Sequence, residues 1–126
     1  MSRQAIVTNK VAPAIGPFSL GVRTGGFVFL SGQIALDPAS GKLIAGDVGA
    51  QTEQIFRNIG AVLDASGKSF ADVVKTAVFL ADMKDFAAMN LIYARYFEAP
   101  FPARTTIAVA GLPLGAAVEI EVLVGP

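Results

Sequence analysis

Three charges stand in the most apolar part of this 126-residue chain: Arg104, which opens the run ARTTIAVA, and Glu119 and Glu121, two residues apart in VEIEVLV. Two steps along a β-strand return a side chain to the same face, so the carboxylates sit roughly 7 Å apart, opposite a core face of Val118, Ile120, Val122 and Val124. On a solvated sheet face such alternation needs no function. Where oligomer packing covers that face, the same carboxylates line a cleft. Arg104 follows Pro102 and Ala103 and can project from the end of its strand. Its planar fork pairs with a carboxylate through two hydrogen bonds, which suits it equally to an internal ion pair with Glu119 or Glu121 and to anchoring a small organic acid.

The chain has neither histidine nor cysteine. The usual general base at neutral pH, the thiolate nucleophile and the commonest transition-metal ligands are therefore missing. Chemistry must come from carboxylates, hydroxyls, backbone groups, Arg, Lys or bound water. Ser31 in FLSGQIAL, followed by Gly32, has no histidine to activate it; it donates a hydrogen bond to ligand or water, or caps its strand. Ten basic and ten acidic residues balance to zero net charge, which disfavours nucleic acid and anionic membranes as partners.

The elements that must position these groups follow from the hydrophobic pattern. Ala5 to Thr8 suits a short strand, and VAPAIGPF is an extended loop because of Pro13, Gly16 and Pro17. Leu20–Arg23 and Phe27–Ser31 flank Thr24, Gly25 and Gly26 as a hairpin, and DPASGK (37–42) reverses the chain again. From Asp47, an N-cap, apolar residues recur at helical spacing through Ile55, Phe56, Ile59, Val62 and Leu63, with Gly67 as the stop. VVKTAVFL (73–80) reads as a strand. Phe86, Met89, Tyr93 and Tyr96 place a second helix over about Asp85–Phe97, ended by Pro100 and Pro102. Arg104–Val109 and Val118–Val124 complete an α+β single domain, a mixed β-sheet with two helices packed on one face. At 53% hydrophobic and 16% charged residues, apolar surface outruns what one small domain hides, which points to an obligate oligomer. No apolar run is long enough to span a membrane and the N-terminus lacks a signal-peptide core, so a soluble cytoplasmic protein is expected.

Three stretches, APAIGPFSLGVRTGGFVFLSGQIALDP, DVVKTAVFLADMKDFAAMNLIYARYF and FPARTTIAVAGLPLGAAVEIEVL, together resemble the RidA proteins, the YjgF family of reactive enamine/imine deaminases. The resemblance spans nearly the whole chain, and its closing signature, PAR, an apolar run, LP and then VEIE, is long and specific. It implies a chorismate-mutase-like (YjgF-like) fold and a homotrimer with three clefts between neighbouring subunits. The substrate would be a 2-imino or 2-enamino acid, hydrolysed to a 2-oxo acid and ammonia with neither metal nor cofactor. By motif, Arg104 would grip the substrate carboxylate and Glu121 would position or activate water. The backbone at Thr106 would contact the imine nitrogen. Ser31 and Gly32 of SGQ and Asn90 of the second helix would lie at or beside the cleft, Phe18 would wall it, and Glu119 would be structural.

One loop departs from the family pattern. GPFSL stands where deaminating members usually read GPYSQ, so a phenolic hydroxyl is lost at Phe18 and an amide gives way to Leu20. The drier cleft shifts preference toward larger apolar side chains, or removes turnover and leaves a trimer that binds a small carboxylate as a regulatory or chaperone-like protein. Ribonuclease activity, also attached to the family, is disfavoured by zero net charge and the missing histidine.

Overall fold

A computed structural model describes residues 2–126. Six strands form one sheet in the order β1-β2-β3-β6-β4-β5. They are β1 (Gln4–Ala5), β2 (Gly21–Thr24), β3 (Phe27–Leu30), β4 (Val73–Leu80), β5 (Ala103–Ala108) and β6 (Val118–Val124), with helices α1 (Val48–Ala65) and α2 (Phe86–Tyr93). Neighbouring strands are antiparallel except β4 and β5, which run parallel and are joined across α2.

Local chemistry accounts for most boundaries. The β2–β3 hairpin turns at Gly25 and Gly26, both at positive φ (55° and 83°), where a side chain would be strained. Asp47 caps α1 by accepting from the Ala50 amide at 2.9 Å, and Gly67, at φ 74°, follows its last turn. The α1 stripe of Ile55, Phe56, Ile59, Val62 and Leu63 is buried against the sheet together with Met89 and Tyr93 of α2. Val118, Ile120 and Val124 of the central strand β6 have no exposed surface. Strands β4 and β6 lie where the alternation of the sequence puts them.

Two expectations change. The first strand is only Gln4–Ala5, paired to Arg23 and Val22, rather than Ala5–Thr8. The second helix ends at Tyr93 instead of Phe97. Tyr96 and Phe97 leave the helical path to pack around Phe56, with ring centroids 4.6 Å and 5.7 Å away. Burial of two aromatic rings outweighs one further helical turn.

Both helices cover one face of the sheet. The other face carries Phe27, Phe29, Phe79, Ile107 and Leu123 beside Glu119 and Glu121, and Phe29 is still 46% exposed. Burying a side chain of this size fully is worth about 1.5–3 kcal/mol, so this face favours association. No helix among the described residues is long and apolar enough to cross a membrane.

Candidate active site

The register of β4 and β5 aligns Arg104 with Thr76 and Thr106 with Val78. Thr76 and Val78 are completely buried beneath the helices, so Arg104 and Thr106 project to the helix side at the sheet edge. The Arg104 guanidinium donates from Nη1 to Asn90 Oδ1 at 2.7 Å and lies 4.6 Å above the Tyr93 ring and 5.5 Å from that of Phe86. Tyr93 is itself held by a buried hydrogen bond of 2.8 Å between its hydroxyl and Thr76 Oγ1. An aromatic platform and one amide thus fix the guanidinium while its remaining N–H groups stay available. Among the described residues the ion pairs are Arg57–Glu53 and Lys84–Asp82, so the internal pairing of Arg104 with either glutamate does not form.

Arg104, Asn90, Tyr93, Phe101 and Pro102 border an open cavity of about 320 Å³. Two residues along β5 on the same side, Thr106 Oγ1 is buried without a hydrogen-bond partner among the described residues. Because β5 is an edge strand, part of its backbone donors and acceptors also face outward. Arg104, Thr106 and Asn90 therefore gather as one cationic, hydrogen-bonding half-site.

The other expected residues gather elsewhere. After β3 the chain runs beside β6 through a bridge of Gln33 with Ile120, with hydrogen bonds of 2.8 Å and 3.0 Å in the two directions. This antiparallel register sets Gly32 across from Glu121, and the Glu119 side chain reaches over Gly32 on the diagonal. A Cβ on residue 32 would lie 3.0 Å from Glu119 Cδ and collide with Oε2, so the missing side chain makes the space for the carboxylate. Ser31 Oγ donates to the Ser19 carbonyl at 2.6 Å and its amide donates to Leu20 O at 3.0 Å. The hydroxyl expected to meet ligand or to cap a strand instead ties the Phe18 loop to the end of β3.

Phe18, Leu20, Gly32, Gln33, Pro113 and Glu119 share a cavity of about 270 Å³. Burial, and secondarily the charge of Glu121, raise the Glu119 pKa above the ordinary 4.5. Glu121 has different surroundings: it is exposed, opposite Ala77, in a shallow patch with Phe29, Lys75 and Leu123.

The structure thus reverses the surroundings expected for the two acids. Glu119, read as structural, stands beside Gly32 and Phe18, whereas Glu121, read as the acid that handles water, touches neither cluster. Nothing within VEIE distinguishes them, because both point to the same sheet face; the distant Gln33–Ile120 bridge brings Gly32 alongside both, and the Glu119 side chain is the one that leans over it. Tyr93 and Phe86 were visible only as an apolar helix stripe. Their second role under Arg104 depends on the β4–β5 register.

The family model for Endoribonuclease L-PSP matches residues 9–125. The chain is 46% identical over 121 residues to Reactive Intermediate Deaminase A, chloroplastic, of Arabidopsis thaliana, covering 96% of this chain and 65% of that longer protein. It is likewise 46% identical over 121 residues to 2-iminobutanoate/2-iminopropanoate deaminase of Mus musculus, covering 96% of this chain and 90% of the mouse protein. Among solved structures, E. coli TdcF with bound serine superposes with a TM-score of 0.91 at 37% identity, covering 98% of each chain. Sequence, fold and the two clusters lead to one conclusion: the chain belongs to the endoribonuclease L-PSP family, the group that includes the RidA proteins.

Proposed function

We propose that the chain is a hydrolytic deaminase of 2-imino and 2-enamino acids, acting at clefts between neighbouring subunits of a homotrimer. The observation that carries this is the division of the site: the cation at Arg104 and the carboxylate at Glu119 project to opposite faces of one sheet. A cleft using both requires two subunits, and the apolar face with Phe27, Phe29 and Ile107 supplies the surface for assembly. Any closed ring matches every half-site, and the trimer is the ring that the family resemblance implies.

In such a cleft Arg104 takes the substrate carboxylate through its free N–H groups, with Asn90 and Tyr93 holding the guanidinium in place. The backbone at Thr106 meets the imine nitrogen. Across the cleft Gly32 and Phe18 form the wall. Glu119, rather than Glu121, takes a proton from water as the oxygen adds to the C=N carbon, and returns it to nitrogen as the carbinolamine collapses to a 2-oxo acid and ammonia. A carboxyl whose pKa is raised is suited to both transfers, and help of this kind contributes about 10²- to 10⁴-fold. Addition of water to an iminium carbon needs nothing further.

The relatives support this chemistry by name, one as a 2-iminobutanoate/2-iminopropanoate deaminase, and serine bound to TdcF is a small α-amino carboxylate. The test is to generate imino acids in place with an amino-acid oxidase and trap them with semicarbazide. Added protein should lower semicarbazone formation; an unchanged yield across several amino acids would exclude the activity. Phe18, with no phenolic hydroxyl, favours one competing role, a trimer that binds small carboxylates without turnover. Thermal stabilisation by a 2-oxo acid with no loss of semicarbazone would identify it.

A further inference from the structure

Each half-site carries one large aromatic side chain that the single chain leaves in water. Beside the cation it is Phe101. Phe70, Tyr93, Tyr96 and Phe97 gather around Phe56, but Phe101 borders the cavity of Arg104 and Asn90 and is 63% exposed. Beside the carboxylate it is Phe18, which borders the cavity of Gly32 and Glu119 and is 53% exposed. Both rings stand on restrained backbone: Pro100 and Pro102 flank Phe101, and Ser31 ties the loop of Phe18 to β3 through the Ser19 carbonyl. Covering them therefore costs little conformational freedom. One exposed phenyl ring needs no explanation, but here one stands at each half of a divided site.

We infer that Phe101 of one subunit packs against Phe18 of its neighbour, and that this contact closes the cleft over Arg104. The inference rests on the divided site proposed above and names the contact that completes it. When Arg104 of one subunit faces Glu119 of the next, the ring beside each enters the same cleft from opposite sides. The guanidinium is exposed in the single chain. Two rings in contact displace water from it, so its attraction for the substrate carboxylate is less screened. A phenyl ring at position 18 suits this contact, because it has no hydroxyl that would need a partner there. Phe101 is thus a positioning residue, which acts on the substrate through Arg104.

The chain has no tryptophan, so Phe101→Trp introduces a single fluorophore. Its emission in the assembled protein should lie well to the blue of the unfolded chain. Adding Phe18→Ala should either dissociate the oligomer or move the emission to the red. A solvent-like emission, or one that Phe18→Ala leaves unchanged in an oligomer of unchanged size, would overturn the contact. Kinetics supply the second measurement. Phe101→Ser should raise KM about tenfold with kcat changed less than about threefold, and KM should then climb with ionic strength, whereas Phe101→Leu should recover most of the loss. A KM that Phe101→Ser leaves unchanged at every ionic strength would remove the shielding of Arg104. Turnover of no imine at all would remove the deaminase activity instead, and the indole emission would still decide whether the two rings meet.

Discussion

Arg104 and Glu119 project from opposite faces of the same sheet, Arg104 onto the aromatic rings of α2 and Glu119 away from both helices toward Gly32. The separation follows from strand register, which aligns Arg104 with buried Thr76 and sets Glu119 across from Phe79 on the uncovered face. No side-chain motion within one chain carries either group through the sheet. Each half-site is built and held independently, so each can be perturbed without disturbing the other.

Gly32→Ala is expected to fold, since residue 32 has no positive φ, yet to lose about 10²-fold in kcat/KM. The new methyl group occupies the space of the Glu119 carboxylate and moves it by roughly an ångström. Circular dichroism and the semicarbazone assay check the two halves of this expectation; full activity would remove Glu119 from the reaction.

The acid limb of kcat/KM should lie above the ordinary carboxyl pKa of 4.5, because burial and then Glu121 raise the Glu119 value. Glu121→Gln deletes the second cause and keeps the first. The limb should move to lower pH with maximal rate retained. A limb that stays in place would show that another group limits the rate, and loss of turnover would return the catalytic role to Glu121.

Stability offers an independent reading of Glu119. Its folded pKa is raised above the unfolded value, so the folded state holds the proton more tightly; that contribution is present in acid and is lost as pH rises through the folded pKa. Glu119→Gln mimics the protonated form. It should therefore raise Tm at pH 7 while abolishing turnover, with the Tm difference shrinking as pH falls through the raised folded pKa and gone below the ordinary value of 4.5. A lowered Tm at pH 7 would assign Glu119 a structural role.

Tyr93→Phe keeps the ring beneath Arg104 and removes the hydroxyl that pairs with Thr76. Thr76 Oγ1 is then left buried and unpaired, at a cost of about 1–3 kcal/mol of stability. Denaturant unfolding should show that loss, with KM changed less than threefold. Tyr93→Leu, which removes the platform as well, should raise KM further.

Much of the architecture was legible in the residues. Strand Val118–Val124 is a regular apolar alternation, Val73–Leu80 a β-branched, mostly apolar run, and α1 announces itself by its stripe, its Asp47 cap and Gly67. The end of α2 was not legible, since YARYF continues the helical spacing and only the distant Phe56 draws Tyr96 and Phe97 away. In the candidate site, Arg104, Thr106 and Asn90 do assemble, and so do Ser31, Gly32 and Phe18. The choice between Glu119 and Glu121 was not available, because it depends on which side chain leans over Gly32, a residue that a bridge between segments far apart in the chain brings alongside both. Nor could composition show that Arg104 has an aromatic seat, which the parallel register of β4 and β5 creates.

Mixing two inactive variants tests the shared cleft most directly. Arg104→Ala and Glu119→Gln subunits, each inactive alone, are co-refolded in equal amounts and assayed for imine hydrolysis. If every cleft takes Arg104 from one subunit and Glu119 from its neighbour, random assembly restores about a quarter of wild-type activity, since that fraction of clefts receives both intact residues. Activity that stays at the level of the separate variants, in a mixture shown to contain hybrid oligomers, would contradict a site divided between subunits.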